Sequence, residues 1–541
     1  MEFFRFLERE SKALDRRLLI LGVIAAMLNM FIIFTLTVAA GKAVQNTSNL
    51  WELAKVALAL GAFWLSQSIL MRRTAVIVEG IVEKVRVRIV QKIRDSDLAS
   101  IEHIGRAPPY NVVSMHAMTI SRAAGGLVSA FTSLVLLCWA FLIILYLSVA
   151  GFLILLGALA FVIILLKINQ GRIISSFDAA LSEDNKFVHG FGDLVDGFKE
   201  VKMNSAKASD FLDDHLEPLA ARAKEFRTEG ALVLNRSVLL MTTSLFIVLA
   251  ALVFFLPVFS PTEVSKLTKL TTFVVFIFGP LSQVIGFYPF FTEAVASIRE
   301  IQRVEGLLDS VYEQGLADPI SETGPLPVFD ALRCRNLAFS YLDERGQPSF
   351  SLEPLDFELS TGEMIFITGG NGSGKSTFLK VLAGLYSPAG GSITVNDVPI
   401  GRDNRQSYRN LFSPVFSDFH LFDRIYGIRE LDHNRLRSLL EMTELSHKTS
   451  IVDHQITTVN LSSGQRKRLA LVLALLEDKP ILLLDEWAAE QDPPFRRKFY
   501  REILPWLKQQ EKTVVAVTHD DDHYEVADRV LKMQFGNFVR S

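Results

Sequence analysis

The sequence predicts a six-span α-helical membrane domain followed by an α/β domain of the phosphate-loop type, and three observations carry that prediction. Half of the 541 residues are apolar and only 21% are charged, a balance that belongs with membrane proteins. Long uncharged stretches are confined to the first part of the chain. In the last part, IFITGGNGSGKST (Ile365–Thr377) is followed by ILLLDE (Ile481–Glu486), two short apolar runs that end in polar, phosphate-compatible residues. The reading divides the chain into a helical domain over residues 1–308, a linker over 309–328 and a soluble domain over 329–541. The net charge of −3 offers nothing to nucleic acid. Cys138 and Cys334 lie in unlike contexts and form neither a disulfide framework nor a metal site.

The spans follow in order. The N-terminal MEFFRFLERESKALDRR lacks the apolar core of a signal peptide and reads as an interfacial lead-in on the cytoplasmic side. Leu18–Ala40 carries no charge and, at about 1.5 Å per residue, reaches about 34 Å, enough to cross a bilayer. Trp51–Met71 is the second span, with Glu52 and Lys55 near its outer end, where they can snorkel. Ala123–Leu166 is uncharged over about twice the length of one span and breaks at LSVAG, which makes a hairpin of spans three and four. Ser237–Thr262 and Leu270–Thr292 complete the set, with Pro257, Pro280 and Pro289 as expected kinks. Spans one and three to six contain no Asp, Glu, Lys, Arg or His, the residues on which ion-coupled transport relies, so energy has to enter from elsewhere.

Basic residues before span one and after span two (Arg72, Arg73, Lys84, Arg86, Arg88) place both termini in the cytoplasm. The two connections on that side, residues 72–122 and 167–236, are too long for structureless loops. They read as paired helical extensions with tips at Pro108–Thr119 and Phe198–Phe211.

After a polar boundary at Ser321–Asp330, the apolar strand ending at Thr368 runs into GGNGSGKS, which fits the phosphate-loop pattern. Backbone N–H groups of Asn371, Gly372, Ser373 and Gly374 are placed to wrap phosphates, Lys375 to reach the β and γ phosphates, and Ser376 to take Mg²⁺. Thr377 follows in the helix whose N-terminus faces the phosphates. Asp485 closes the second strand as a Mg²⁺ partner, and Glu486 is placed to polarise the attacking water. A third strand ends near His519, suited to the γ phosphate. LSSGQ opens a basic helix with a second anion site at Ser462, Ser463, Gly464 and Gln465. One nucleotide does not need two grips, so this segment reads as contacting the nucleotide of a second, identical domain.

In this order, the phosphate loop, LSSGQ, ILLLDE and TH resemble the ATP-binding cassette, and the six preceding spans resemble an exporter half-transporter of the type IV architecture. The resemblance implies ATP and Mg²⁺ as cofactors and a homodimer with composite sites. It further implies that Tyr341 stacks on adenine, that Asp492 belongs to the loop crossing the dimer interface, and that the loop tips are coupling helices. The chain departs from the usual pattern at Ser417, where a Gln is expected to meet Mg²⁺ or water, with Asp418 beside it. Together, FSDFHLF and DEWAAEQDP are similar to the bacterial cyclic-peptide and siderophore exporter family, which includes exporters of pyoverdine precursors and syringomycin-like lipopeptides.

The expected function is therefore ATP-driven export of a peptide-like cargo across the bacterial inner membrane, with lipid and cargo as partners and no nucleic acid. The alternatives are a multidrug or lipid exporter of the same fold and a non-hydrolysing, ATP-gated regulator.

Overall fold

The computed structural model describes residues 5–6, 9–10, 16–44, 50–105, 107–259, 264–313, 326–342 and 347–539. Most of the expected linker, most of the N-terminal lead-in and the end of span five lie outside these. The chain divides into two compact units: Met1–Val90 with Arg106–Gly306, and Gln91–Gly105 with Leu307–Ser541.

Among the described residues, six helical stretches are long and apolar enough to cross a membrane, the last of them running over two helices. The helices are α1 (Arg16–Val44), α2 (Leu50–Arg94), a short α3 (Leu98–Ile104), α4 (Ala117–Leu147), α5 (Val149–Asp196), α6 (Glu217–Ala250), α7 (Val264–Gly286) and α8 (Tyr288–Glu313). The LSVAG break is a change of helix direction at Ser148, whose backbone is extended and whose hydroxyl caps α5 by accepting from Gly151 N at 3.1 Å. Pro280 lies inside α7, whereas Pro289 falls in the first turn of α8. The expected span Leu270–Thr292 is thus two helices, because proline lacks the N–H that the continuing helix would need. Met30, Ala140, Leu245, Leu252, Phe273 and Ile277 lie at the centre of the first unit's core.

The first loop tip is not where the sequence reading put it. Pro108–Thr119 lies in the helical run that leads into α4, and the tip is α3, preceded by extended Asp97 and stopped by Gly105 at φ 78°. Two consecutive prolines suit the first turn of a helix, where the missing N–H groups have no partner to lose. The second tip does break into short helices, Phe198–Lys202 and Ser205–Ser209, the latter capped by the Asn204 side chain.

In the second unit, β1 (Ala331–Leu342), β2 (Pro348–Ser360), β4 (Gly390–Val395) and β5 (Val398–Pro399) form an antiparallel sheet in the order β2-β1-β4-β5. The larger sheet holds β3 (Met364–Thr368), β6 (Phe412–Val415), β7 (Ile481–Asp485), β8 (Thr513–Val517), β9 (Arg529–Gln534) and β10 (Asn537–Val539), in the order β10-β9-β3-β8-β7-β6. Its strands are parallel except for β10. Helix α9 (Lys375–Leu382) follows β3, and α10 (His433–Met442) and α11 (Ser463–Leu476) precede β7. Every residue of β3, β7 and β8 is buried, as continuous apolar runs in a sheet covered on both faces must be. In such sheets ligands bind beyond the carboxyl ends of the strands, and all the catalytic candidates lie there.

Candidate active site

Past Thr368 the chain turns from strand into helix with no room for side chains. Gly369 and Gly374 have φ of 146° and 103°. A Cβ on Gly369 would fall 2.2 Å from the Met533 carbonyl oxygen, and one on Gly374 would fall 2.8 Å from the Phe350 ring. Only glycine fits either position. Lys375 is buried, and its ammonium donates to the carbonyls of Gly369 and Gly370, each at 3.0 Å, while lying 3.8 Å from the Glu486 carboxylate.

The three metal candidates meet on one carboxylate. Ser376 Oγ donates to Oδ1 of Asp485 at 3.1 Å, and Ser417 Oγ donates to Oδ2 at 3.0 Å. Strand order explains the meeting: β3, β8, β7 and β6 are consecutive in the sheet, so residues far apart in sequence end side by side. This all-oxygen donor set suits a hard cation such as Mg²⁺. Asp418 forms its ion pair with Lys380, at 3.3 Å, so it is the shorter Ser417 that reaches the carboxylate.

Glu486 adopts a left-handed backbone at φ 48°, uncommon for a long side chain and a form of strain that gathers at functional sites. Its carbonyl oxygen accepts from Lys467 Nζ at 3.1 Å, and its carboxylate lies 3.3 Å from His519 Nε2. Tyr341, Phe350, Asn371, Gly372, Ser373, Gly374, Lys375, Ser376, Thr377 and Glu486 line one cavity of about 360 Å³. Phe350 escaped the sequence reading. It pairs with Tyr341 across the β1–β2 ladder, and that cross-strand aromatic pairing was the signal available.

Ser462, Ser463, Gly464, Gln465 and Asp492 do not line this cavity. Ser462 and Gln465 close a capping box at the start of α11, with Gln465 N donating to Ser462 Oγ at 3.3 Å and Ser462 N to Gln465 Oε1 at 3.1 Å. A Cβ on Gly464 would stand 2.9 Å from the Glu490 carbonyl. Asp492 is paired with Arg468, whose guanidinium lies 3.5 Å from the centre of the Phe495 ring. Trp487, the oddest residue of the segment, is a core residue: its indole N–H donates to the Lys467 carbonyl at 2.8 Å and its ring lies 4.4 Å from that of Phe499.

From the cavity wall a chain of hydroxyls runs to α3. Tyr341 donates to the Tyr386 hydroxyl at 3.0 Å, and Tyr386 donates to Glu102 Oε2 at 2.7 Å. Burial, with the bonds to Tyr341 and Glu102, raises the Tyr386 pKa far above the ordinary tyrosine value, so the hydroxyl keeps its proton. Lys380, one turn into α9, lies 3.8 Å from Glu102 as well.

The ABC transporter family matches residues 352–489. ATP-binding protein SyrD of Pseudomonas syringae pv. syringae is 34% identical over 362 residues, covering 66% of this chain and 63% of that protein. The matched part thus spans less than two thirds of that relative. The ATP-dependent lipid A-core flippase of Paraburkholderia xenovorans (strain LB400) is 28% identical over 253 residues, 44% of this chain and 41% of its own. A solved bacterial Atm1-family ABC exporter with ATP bound superposes with a TM-score of 0.72 over 98% of this chain and 95% of its own, at 17% identity, a likeness of fold.

Proposed function

The chain carries an ABC transporter domain behind six apolar helices, and on that premise we propose that it is an ATP-driven exporter of a cyclic peptide, lipopeptide or peptide siderophore precursor. It works by alternating access in the bacterial inner membrane, as a homodimer with both termini and the cassette in the cytoplasm. The observation that carries the ATPase half is the convergence of Lys375, Ser376, Asp485, Glu486 and His519 at one strand edge. A non-hydrolysing regulator has no use for that complete set. The peptide half is supported by the cassette's resemblance to the cyclic-peptide exporter family and by the similarity to SyrD.

In this mechanism Asn371 to Thr377 hold the phosphates through backbone N–H groups, and Lys375 leaves its loop carbonyls for the β and γ phosphates. Tyr341 stacks on adenine. Glu486 takes the proton of the attacking water as the water oxygen bonds to the γ phosphorus and the bond to the β-phosphate oxygen breaks, releasing ADP and phosphate. His519 donates to the γ phosphate. Ser376, Ser417 and Asp485 are the residues that would hold Mg²⁺, which when bound neutralises phosphate charge. Ser462 to Gln465 and Asp492, absent from their own chain's cavity, act on the nucleotide of the partner copy.

The test is ATP-dependent uptake into inverted membrane vesicles of a labelled cyclic lipopeptide against a cationic dye, for wild type and Glu486→Gln. Peptide uptake lost in the variant supports the proposal. Uptake of dye alone replaces it with a multidrug exporter. A lipid exporter is the second reading, motivated by the similarity to the flippase, and transfer of a fluorescent lipid in proteoliposomes decides it.

A further inference from the structure

The helical unit contains a second cavity, of about 570 Å³, between α1, α2, α4 and α7. Its polar lining has an unusual bias. Thr74 and Thr132 donate their hydroxyl protons to the carbonyls of Leu70 and Val128, at 2.8 and 2.9 Å. Ser129 and Ser133 donate to Oε1 of Gln283, at 3.5 and 2.5 Å. Ser121 donates to the Glu79 carboxylate at 2.8 Å. The hydroxyls of Thr74, Thr132, Ser133 and Ser121 have spent their protons inside the protein and keep lone pairs free to accept, whereas Ser129 makes only a long contact.

Two further groups extend the bias. Gln67 Oε1 is buried and has no hydrogen-bond partner among the described residues, and Glu79 brings a carboxylate. Among the described residues, the lining contains no Lys, Arg or His. Beside these acceptors the carboxamide N–H₂ groups of Asn29, Gln67 and Gln283 are the side-chain donors of the described lining; the unpaired Gln67 oxygen suits a ligand that brings a hydrogen-bond donor, and the carboxylate without a cation disfavours an anion. The apolar remainder, among it Phe63, Met71, Val78 and Leu136, suits aliphatic or aromatic side chains.

We propose that this cavity binds the secondary-amide N–H groups of a peptide cargo, with the Gln67 carbonyl as a specificity-determining acceptor and Glu79 receiving a cationic substituent where the cargo has one. The inference rests on the export reading and adds to it the chemistry that recognises the cargo. It also separates the peptide from a phosphorylated lipid, whose negative headgroup finds no countercharge in this lining.

The experiment uses the full-length protein in lipid nanodiscs. Equilibrium binding is measured for a neutral cyclic octapeptide with apolar side chains, for the same ring N-methylated at every amide, and for a phosphorylated glycolipid, with wild type and with Gln67→Leu. The carbonyl removed by Gln67→Leu has no partner among the described residues, so folding is expected to be unharmed; an unchanged thermal midpoint checks this. The expected result is that the peptide binds wild type about tenfold more tightly than it binds the variant, the loss of one buried hydrogen bond. The N-methylated ring should bind wild type weakly and be indifferent to the substitution. Equal binding of the two rings, equal affinity of wild type and variant, or preference for the glycolipid would overturn the proposal. ATP-dependent peptide uptake measured alongside separates the failures: uptake that persists with equal affinities removes this site and leaves export standing, whereas absence of both binding and uptake removes both.

Discussion

Trp64 in the helical unit is 70% exposed and Trp487 in the cassette is 1% exposed. The same contrast runs through the phenylalanines: Phe254 is 73% exposed, while Phe366 and Phe378 are fully buried. A soluble domain hides its large apolar side chains from water, and a membrane domain turns them outward to lipid, where nothing is gained by hiding them. The two units place their polar groups oppositely as well. The cassette gathers Ser376, Ser417 and Asp485 into a closed set of hydrogen bonds beside the candidate nucleotide cavity, whereas the helical unit leaves the buried Gln67 Oε1 unpaired among the described residues. Closed sets fix one geometry, and open acceptors wait for a ligand.

Substitutions at five positions sharpen or break this contrast, from the largest expected effect to the smallest. Glu486→Gln should lower ATP turnover by about 10²- to 10⁴-fold with ATP still bound, because the proposed general base is removed and the proposed phosphate grip is not; phosphate release and nucleotide binding in nanodiscs measure the two separately. Trp487→Ala should cost the cassette about 3–5 kcal/mol, and Trp64→Ala should leave cassette unfolding unchanged. Calorimetry of the two variants breaks the contrast if they are alike.

Ser417→Ala removes a hydroxyl that donates to a carboxylate, a bond of about 1.5–3 kcal/mol. The expected readout is a higher Mg²⁺ requirement for hydrolysis, and Ser417→Gln, which restores the residue usual in cassettes, should recover it. Tyr386→Phe keeps the ring beside Phe339 and Tyr341 but loses the hydroxyl between Tyr341 and Glu102; because the Glu102 carboxylate is 43% exposed, the loss falls at the low end for a bond to a charged group, about 1.5 kcal/mol. A rise of a few-fold in KM for ATP with kcat nearly unchanged would place that hydroxyl on the nucleotide side. A fall in peptide transport per ATP hydrolysed would place it on the α3 side.

Much of the candidate site was legible because its signals are local. A phosphate loop needs glycines at fixed intervals, and Gly369 and Gly374 show why: one lies against a backbone carbonyl and the other against an aromatic ring. The approach of Ser417 to Asp485 was not legible, since it depends on β6 lying beside β7, nor was the choice between Ser417 and Asp418. Trp487 lies in DEWAAEQDP, a segment that carries the resemblance to the exporter family, and the structure shows its indole packed in the core. The first loop tip was misplaced because two prolines suit a turn and the start of a helix equally well, and the choice fell to Gly105 and to the helix before it.

The sequence by itself determined what each stretch could tolerate: which segments can lie in lipid without charge, where glycine is obligatory, and which strand ends carry acids. Only the tertiary structure decided which of those residues meet. Sheet order brought Ser376, Ser417 and Asp485 to one carboxylate, and helix packing turned spent hydroxyls and an unpaired amide oxygen into one cavity. The physical reason is that composition and short-range spacing act within a few residues of chain, while a hydrogen bond forms between whatever groups packing brings within about 3 Å.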